Sequence, residues 1–240
     1  MLPAYNEEAR IGKLLEHIDE AMEEAGLAYH VLVVDDGSSD GTASLVRACS
    51  GRMPITLMQH ARNQGLGATL RDGLLGALQD AGERDIVVTM DADDTHTPGL
   101  ILRMVRMISE GYDVVVASRY RPGARTVGVP LSRRLLSFGG SLLFRVLFPI
   151  RGVRDYTCGY RAYRAAVLRS AVRAYGSGFV DQDGFQSTVD ILLKLRTMNL
   201  HFGEVPFLLR YDVKEGGTKM NVPRTIRNTL QLLIRRRLGW

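Results

Sequence analysis

Residues 29–42 read YHVLVVDDGSSDGT. The run at 29–34 is short and rich in β-branched residues, the composition of a buried strand. It stops on two carboxylates, Asp35 and Asp36, turns at Gly37, and passes Ser and Asp residues suited to helix caps before a helical pattern at about 41–50. Three more short apolar runs, at 55–58, 86–90 and 114–117, alternate with helical patterns at about 65–79 and 98–110. Upstream, Ile11, Leu14, Leu15, Ile18 and Met22 recur at helical spacing, with Asn6 as the expected N-cap and Gly26 as the stop. This alternation predicts an α/β fold with a mostly parallel central sheet flanked by helices. In such sheets ligands bind beyond the carboxyl ends of the strands, so Asp35, Asp36 and Asp91 are expected to face one crevice. Only Met1 and Leu2 precede Pro3, so the first strand is expected to be short or frayed.

The chain has 240 residues, enough for one domain with a sizeable core. Its hydrophobic fraction of 45% and charged fraction of 24% are those of a globular protein. Two cysteines, Cys49 and Cys158, make neither a disulfide framework nor a metal cluster, so a reducing cytosolic setting is the default. The opening MLPAYNEE lacks the basic head and apolar stretch of a signal peptide.

The net charge of +5 hides a polarity along the chain. Residues 1–117 carry 9 basic and 19 acidic side chains, whereas residues 118–170 carry 11 arginines and one acid, Asp155. The first part is suited to holding a cation and the later part to holding anions. The arginine-rich stretch contains no recognisable nucleic-acid module, which argues against nucleic acid as the partner. Phosphorylated small molecules and an anionic membrane surface both fit. With only Asp155 close in sequence, most of these arginines are expected to lack a local partner.

Residues 130–150, PLSRRLLSFGGSLLFRVLFPI, are apolar but broken by arginines and glycines, too short and interrupted to span a bilayer. They read as one or two amphipathic helices at an interface, or as core helices with solvated arginines. The tail at 221–240, with its RRR cluster and terminal Trp240, has the same character. In NQGLGATLRDG, residues 63–73, the glycines fit places where backbone approaches a ligand or another element.

In IVVTMDADDTHTP, residues 86–98, three carboxylates crowd the end of a strand. If the chain stays extended there, Asp91 and Asp93 point the same way and offer hard oxygen donors to Mg²⁺ or Mn²⁺, ions that commonly also hold substrate phosphates. Asp94 reads as a capping residue ahead of Pro98.

Taken together, PAYNEE at 3–8, VVDDGSSDGT at 33–42, NQGLGA at 63–68, MDADDTH at 90–96, ASRY at 117–120 and VRDYTCGYRAYR at 153–164 occur in order at suitable spacing. The chain resembles the family 2 glycosyltransferases of GT-A (Rossmann-like) fold, and within them the dolichol- or polyprenyl-phosphate mannose synthase-like group. The resemblance spans about residues 2–220, divided into a nucleotide and metal half (about 1–117) and an acceptor half (about 118–220), with 221–240 as a basic amphipathic C-terminal helix. It implies that Pro3, Tyr5, Glu7, Asp35, Asp36, Asp91 and Ala92 meet the nucleotide sugar, and that Asp91 and Asp93 hold the metal. It further implies that Arg119, Arg133, Ser137 and Arg210 meet the acceptor phosphate, with Asp93, Arg119 and Arg133 carrying the chemistry. Departures are visible. Thr95 stands where some relatives have a further metal ligand, Leu66 where a lysine is common, and RYDVKEGGTKM at 210–220 is longer than the usual pattern around Lys219.

The implied reaction is metal-dependent, inverting transfer of a hexose, mannose or glucose, from a GDP- or UDP-sugar to polyprenyl or dolichyl phosphate. The implied location is peripheral, on the cytosolic face of a membrane, and a second copy or a membrane protein is open as a further partner. Two other readings stand beside it. A family 2 enzyme acting on a hydroxyl acceptor would need a base, for which Asp181, Asp183 and Asp190 are the candidates, with solvated or capping roles as their plainer reading. A nucleotide-sugar-binding module without turnover is the other. Asp155 is expected to pair with a nearby arginine, and Arg161 to be a solvated or ion-paired side chain.

Overall fold

The computed structural model describes residues 1–211 and 222–238, without the side chains of 132, 133 and 222–224. The first part runs β1 (Leu2–Ala4), α1 (Glu8–Glu24), β2 (Val31–Asp35), α2 (Thr42–Cys49), β3 (Ile55–Gln59), α3 (Leu66–Asp80), β4 (Ile86–Thr89), α4 (Leu100–Ser109) and β5 (Val114–Ser118). The second runs β6 (Arg125–Val127), α5 (Leu131–Leu147), β7 (Arg161–Arg164), α6 (Ala165–Tyr175), α7 (Gln186–Leu195), β8 (Phe202–Pro206), β9 (Leu208–Arg210) and α8 (Val222–Arg237).

β1, β2 and β3 form a parallel sheet in that order. A second sheet has the order β4-β7-β5-β8. The two meet at Met1, whose amino group donates to the Val88 carbonyl at 2.7 Å and whose carbonyl accepts from the Met90 N–H at 3.2 Å. That pair of bonds is a parallel bridge, so the strands follow one another as β3-β2-β1-β4-β7-β5-β8. The first strand is short, as expected, but it is held on both sides and not frayed. Only β7 in this series runs against its neighbours, antiparallel to β4 and β5. β6 and β9 form a separate parallel ribbon.

The strands are buried because helices cover them. All five residues of β2 and all five of β5 are buried, the signature of central strands. α1 turns Ile11, Leu14, Leu15, Ile18 and Met22 inward, as its spacing predicts, and Gly26 ends it at φ +61°. One continuous apolar cluster reaches from Leu2 in β1 to Leu233 in α8. Gly67 and Gly73, in the 63–73 stretch, serve close approach to other elements. A side chain on Gly73 would meet Met1 and Val34, and one on Gly67 would meet the Gln182 carbonyl.

Several expectations are corrected. Asn6 does not cap α1. It sits at φ +52°, and its side chain accepts from the Ser39 N–H of the neighbouring loop. Asp94 does not cap α4, which begins at Leu100. Asp94 lies at φ +54° and faces His17 on α1 at 3.4 Å. The 130–150 stretch is a single helix that does not pack as a core helix. Leu131, Leu135, Phe138, Leu142 and Val146 are exposed, Val146 by 70%, while Phe144 and Ser141 face inward. No described helix is long and apolar enough to cross a membrane.

A buried carboxylate joins the later strands. Asp155 is 0% exposed and accepts from the Arg119 backbone N–H, Nε and Nη2 at 3.0, 2.8 and 2.7 Å. The Thr157 and Cys158 N–H groups add bonds at 3.3 and 3.2 Å. The backbone N–H groups of Arg154 and Asp155 in turn donate to Glu204 Oε1 in β8 at 2.6 and 2.7 Å. Burial alone would raise the Asp155 carboxyl, but the Arg119 guanidinium and these donors hold it below the usual carboxylate range.

Two predictions follow from these contacts. Gly37, at φ +70°, lies so close to the 62–63 backbone that an added Cβ would sit 2.5 Å from the Arg62 carbonyl carbon. Gly37→Ala therefore combines backbone strain with overpacking, about 2 kcal/mol in all, and should lower the melting temperature by roughly 4–8 °C in a calorimetric scan. Asp155→Asn should cost about 3–5 kcal/mol at neutral pH, because it strands a largely buried guanidinium. Since the folded carboxyl lies below its unfolded value near pH 4, Asp155 stabilises the protein above that pH, and its contribution fades as the pH falls through the folded value. Denaturant titrations from pH 7 to pH 3 should show a shallower acid limb in Asp155→Asn than in the wild type.

Candidate active site

Because β1, β2, β4 and β5 are parallel, their carboxyl ends share one edge, and β7, running the other way, begins there. Pro3 lies half-buried in β1, Tyr5 is exposed just beyond it, and Glu7 is half-buried ahead of α1. This loop is laced to the one after β2. The Asn6 N–H donates to Ser38 Oγ at 2.8 Å, the Glu7 N–H to Thr42 Oγ1 at 2.8 Å, and Glu8 accepts from the Gly41 N–H at 3.0 Å.

The carboxylates at this edge fall into two kinds. Asp35 and Asp36 are buried and engaged within the chain. Asp35 accepts from Ser38 and from Gln59 Nε2 at 2.9 Å. Asp36 accepts from His60 Nδ1 at 2.7 Å and from the Gln64 and Gly65 N–H groups at 2.8 Å each. Asp36 thereby fastens the loop that leads into α3.

Asp91 and Asp93 are more open. The Asp91 side chain is 50% exposed, Asp93 is half-buried, and Ala92 between them is buried. The chain does not stay extended there but turns over 91–97. The Thr95 hydroxyl donates to Asp93 Oδ1 at 2.6 Å, with the Thr95 N–H 3.3 Å from the same oxygen. Thr95 thus holds Asp93 in place. Asp91 Oδ1 faces Gly159, 3.6 Å from where a Cβ there would lie, so the missing side chain leaves room beside that oxygen. No group of three or more His, Cys, Asp or Glu side chains that could hold a metal occurs among the described residues. Two hard carboxylates close in sequence, one of them half-exposed, suit an oxygen-seeking divalent ion that takes further oxygens from a ligand.

Beyond β5 lies a second group. Arg119, fixed by Asp155, donates through Nη2 to Thr157 Oγ1 at 2.6 Å. Ser137 on α5 lies 3.4 Å from the same hydroxyl and accepts from Tyr120 Oη at 3.2 Å. Arg133 belongs to α5, but its side chain lies outside the described residues. Arg210 ends β9, and its backbone N–H donates to the Thr95 carbonyl at 3.1 Å, which brings the β9 end beside Asp93. Lys219 and the rest of 212–220 lie outside the described residues. The segment 155–159 runs between the two groups, with Asp155 and Thr157 at Arg119 and Gly159 at Asp91.

The arginines are less solitary than their local sequence implies. Arg121 faces Glu204 at 3.5 Å, Arg164 faces Asp113 at 3.4 Å, and Arg169 faces Glu83 at 3.5 Å. Their partners are distant in sequence and are delivered by the sheet. Arg161 is not solvated, and among the described residues no ion pair of its side chain is found. It is buried in β7 and donates to the Thr188 and Tyr156 carbonyls at 2.6 and 2.8 Å.

The later aspartates are also engaged, except Asp183, which is exposed. Asp190 is buried against Lys194 Nζ at 2.6 Å and takes Arg236 of α8 in bidentate fashion at 2.7 and 2.8 Å. Burial alone would raise the Asp181 carboxyl, but hydrogen bonds from Lys194 and Gln182 bring it down to about 2. Asp190 is not the solvated or capping residue its sequence suggests, whereas Asp181 is solvent-exposed and also paired with Lys194. Thr157, Gly159 and Tyr120 were contained in the quoted motifs, yet only the fold shows that they adjoin the site. His96, examined below, is of the same kind.

Comparison with known proteins shows the family and the fold. The chain is 30% identical over 208 residues to the dolichol-phosphate mannosyltransferase of Pyrococcus furiosus, covering 86% of this chain and 54% of that one. It therefore spans about half the length of that relative. It is 31% identical over 207 residues to the undecaprenyl-phosphate mannosyltransferase of Micrococcus luteus, covering 80% of it, and 30% identical over 232 residues to the polyprenol monophosphomannose synthase of Mycolicibacterium smegmatis, covering 83%. These alignments take in 86% and 96% of this chain. Among solved structures, glucosyl-3-phosphoglycerate synthase from Mycobacterium tuberculosis shares the fold, with a TM-score of 0.68 at 19% identity over 99% of this chain and 77% of that one. The family model described as glycosyl transferase family 2 matches residues 1–171, and the chain belongs to that family.

Proposed function

We propose that this family 2 member is a metal-dependent, inverting hexosyltransferase that moves mannose or glucose from a GDP- or UDP-sugar to a polyprenyl or dolichyl phosphate. One observation carries the reading. A single strand edge bears the half-exposed carboxylates Asp91 and Asp93 at β4 and a guanidinium with two hydroxyls, Arg119, Ser137 and Thr157, at β5. The names of the three curated relatives, all polyprenyl- or dolichyl-phosphate mannosyltransferases, point the same way.

In this reading the donor lies across the carboxyl ends of β1, β2 and β4, against Pro3, Tyr5, Glu7, Asp35 and Ala92, while Asp36 works by keeping the 60–65 loop in place. Asp91 and Asp93 would hold Mg²⁺ or Mn²⁺, which when bound offsets the charge that gathers on the departing diphosphate. The M. tuberculosis synthase that shares the fold has been seen with Mn²⁺ and UDP. Reaction breaks the bond from the anomeric carbon to the diphosphate oxygen, whose electron pair leaves with the nucleoside diphosphate. A lipid phosphate oxygen forms the new bond on the opposite face of the sugar.

That oxygen is already anionic at neutral pH, so the acceptor needs placement more than a base. Arg119, held rigidly by Asp155, supplies a directed donor, and Arg133, Ser137 and Arg210 complete the phosphate seat. The commitment of Asp181 and Asp190 to Lys194 and Arg236 leaves Asp183 alone of the three candidate bases for a hydroxyl acceptor, which favours a phosphate acceptor that needs none. The outward apolar row on α5, together with the arginines of α8, suits an anionic membrane surface, where such a lipid resides.

Two measurements test this. With Mn²⁺ and a short polyprenyl phosphate, the wild type should consume GDP-mannose or UDP-glucose, and Asp93→Ala should lose at least about 100-fold in turnover. Near-wild-type turnover in Asp93→Ala with metal present removes the metal assignment, and transfer to a hydroxyl acceptor alone favours the other enzyme class. In co-sedimentation with phosphatidylglycerol-containing vesicles, Leu135→Asp/Val146→Asp should bind several-fold more weakly than the wild type. Its melting temperature should be unchanged, because both side chains are already exposed.

A further inference from the structure

His96 is the residue at this edge that neither the motif nor the mechanism accounts for. It is only 5% exposed, directly behind the carboxylate turn. Its ring stacks on Tyr160, with centroids 5.1 Å apart and planes 7° from parallel, and meets Phe207 edge-on at 5.0 Å. Those neighbours are themselves fixed. The Tyr160 hydroxyl donates to the Thr97 carbonyl at 3.1 Å, and the Phe207 backbone N–H donates to the Ser118 carbonyl at 3.1 Å. The imidazole therefore has little freedom to turn.

Both ring nitrogens are directed at one residue. The Asp91 backbone N–H points to Nδ1 at 3.4 Å, so Nδ1 is the acceptor and the ring proton belongs on Nε2. Nε2 faces Asp91 Oδ2 at 3.7 Å. Asp91 is thus gripped by its main chain and faced at one carboxylate oxygen, while its other oxygen, Oδ1, looks toward the space left by Gly159.

We infer that His96 is a positioning residue that holds Asp91 with Oδ1 presented to the divalent ion. The inference rests on the metal reading above and adds the element that makes Asp91 a preorganised ligand. Outer-shell partners of this kind typically change metal affinity by about 10–100-fold when removed. The stack also ties the metal turn to β7 and to the β8–β9 junction, so acceptor-side strands help hold a donor-side ligand.

The test is Mn²⁺ binding to the full chain, read as free Mn²⁺ by electron paramagnetic resonance, with melting temperature measured in parallel. His96→Phe keeps an aromatic ring in the stack but removes both nitrogens, and should raise the Mn²⁺ dissociation constant by about tenfold or more. His96→Asn, which retains an acceptor for the Asp91 N–H but is too short to face Oδ2, should be weakened as well, which keeps the test decisive if the Phe variant does not fold. His96→Gln, which returns an N–H near the Nε2 position, should recover part of the affinity. A folded His96→Phe with wild-type Mn²⁺ affinity overturns the inference, as does an affinity loss in all three variants that merely tracks their melting temperatures. Absence of Mn²⁺ binding by the wild type overturns the metal reading itself, and the role of His96 with it.

Discussion

The structure depends on a buried charge. Asp155 has no contact with solvent, and an isolated carboxylate in that position would cost several kcal/mol. It is tolerated because the Arg119 side chain and three backbone N–H groups converge on it. The consequence is geometric more than energetic. A carboxylate with that many donors has essentially one arrangement that satisfies it, so the end of β5 and the start of the 155–159 segment are located together. Glu204 repeats the device one step further out, where a β8 side chain holds the backbone that carries Asp155.

Elsewhere at the same edge, carboxylates differ in how deeply the chain buries them. Asp36 is consumed by a histidine and two backbone amides, and its work is to fix a loop. Asp91 and Asp93 are more open, and the Thr95 hydroxyl on Asp93 and the imidazole beside Asp91 are among the groups that set their directions. Like charges are stable together at this turn because the chain leaves them accessible to water or a cation. The two kinds of acid lie at the same sheet edge and are indistinguishable by residue type. Burial separates them.

The parts of this arrangement governed by neighbours in the chain were readable in the sequence. The buried face of α1, its stop at Gly26, the strand-then-carboxylate pattern and the ordered family motifs all depend on residues within a turn or two of each other. What could not be read is set by long-range pairing. β7 is antiparallel because the chain returns between β4 and β5, and nothing in RAYR signals that direction. Arg161 reads as a surface residue until its strand proves central and two carbonyls are found to receive it. Arg121, Arg164 and Arg169 find acids dozens of residues away. Asn6 and Asp94 were misread because capping is a local rule, and here each side chain is drawn off by a different element.

The bidentate pairing of Arg236 with buried Asp190 has a consequence for how the protein meets a surface. A basic helix on a flexible tether would leave the catalytic edge free to tumble above a bilayer. α8 is instead bolted by its last turn to α7, inside the main fold, while Ile226, Leu230 and Ile234 remain outward. If such a helix adhered to a membrane, as the proposed function requires, it would set the tilt of the whole body. It would hold the crevice at one fixed angle to the headgroup plane and make its encounter with a lipid a lateral search in two dimensions.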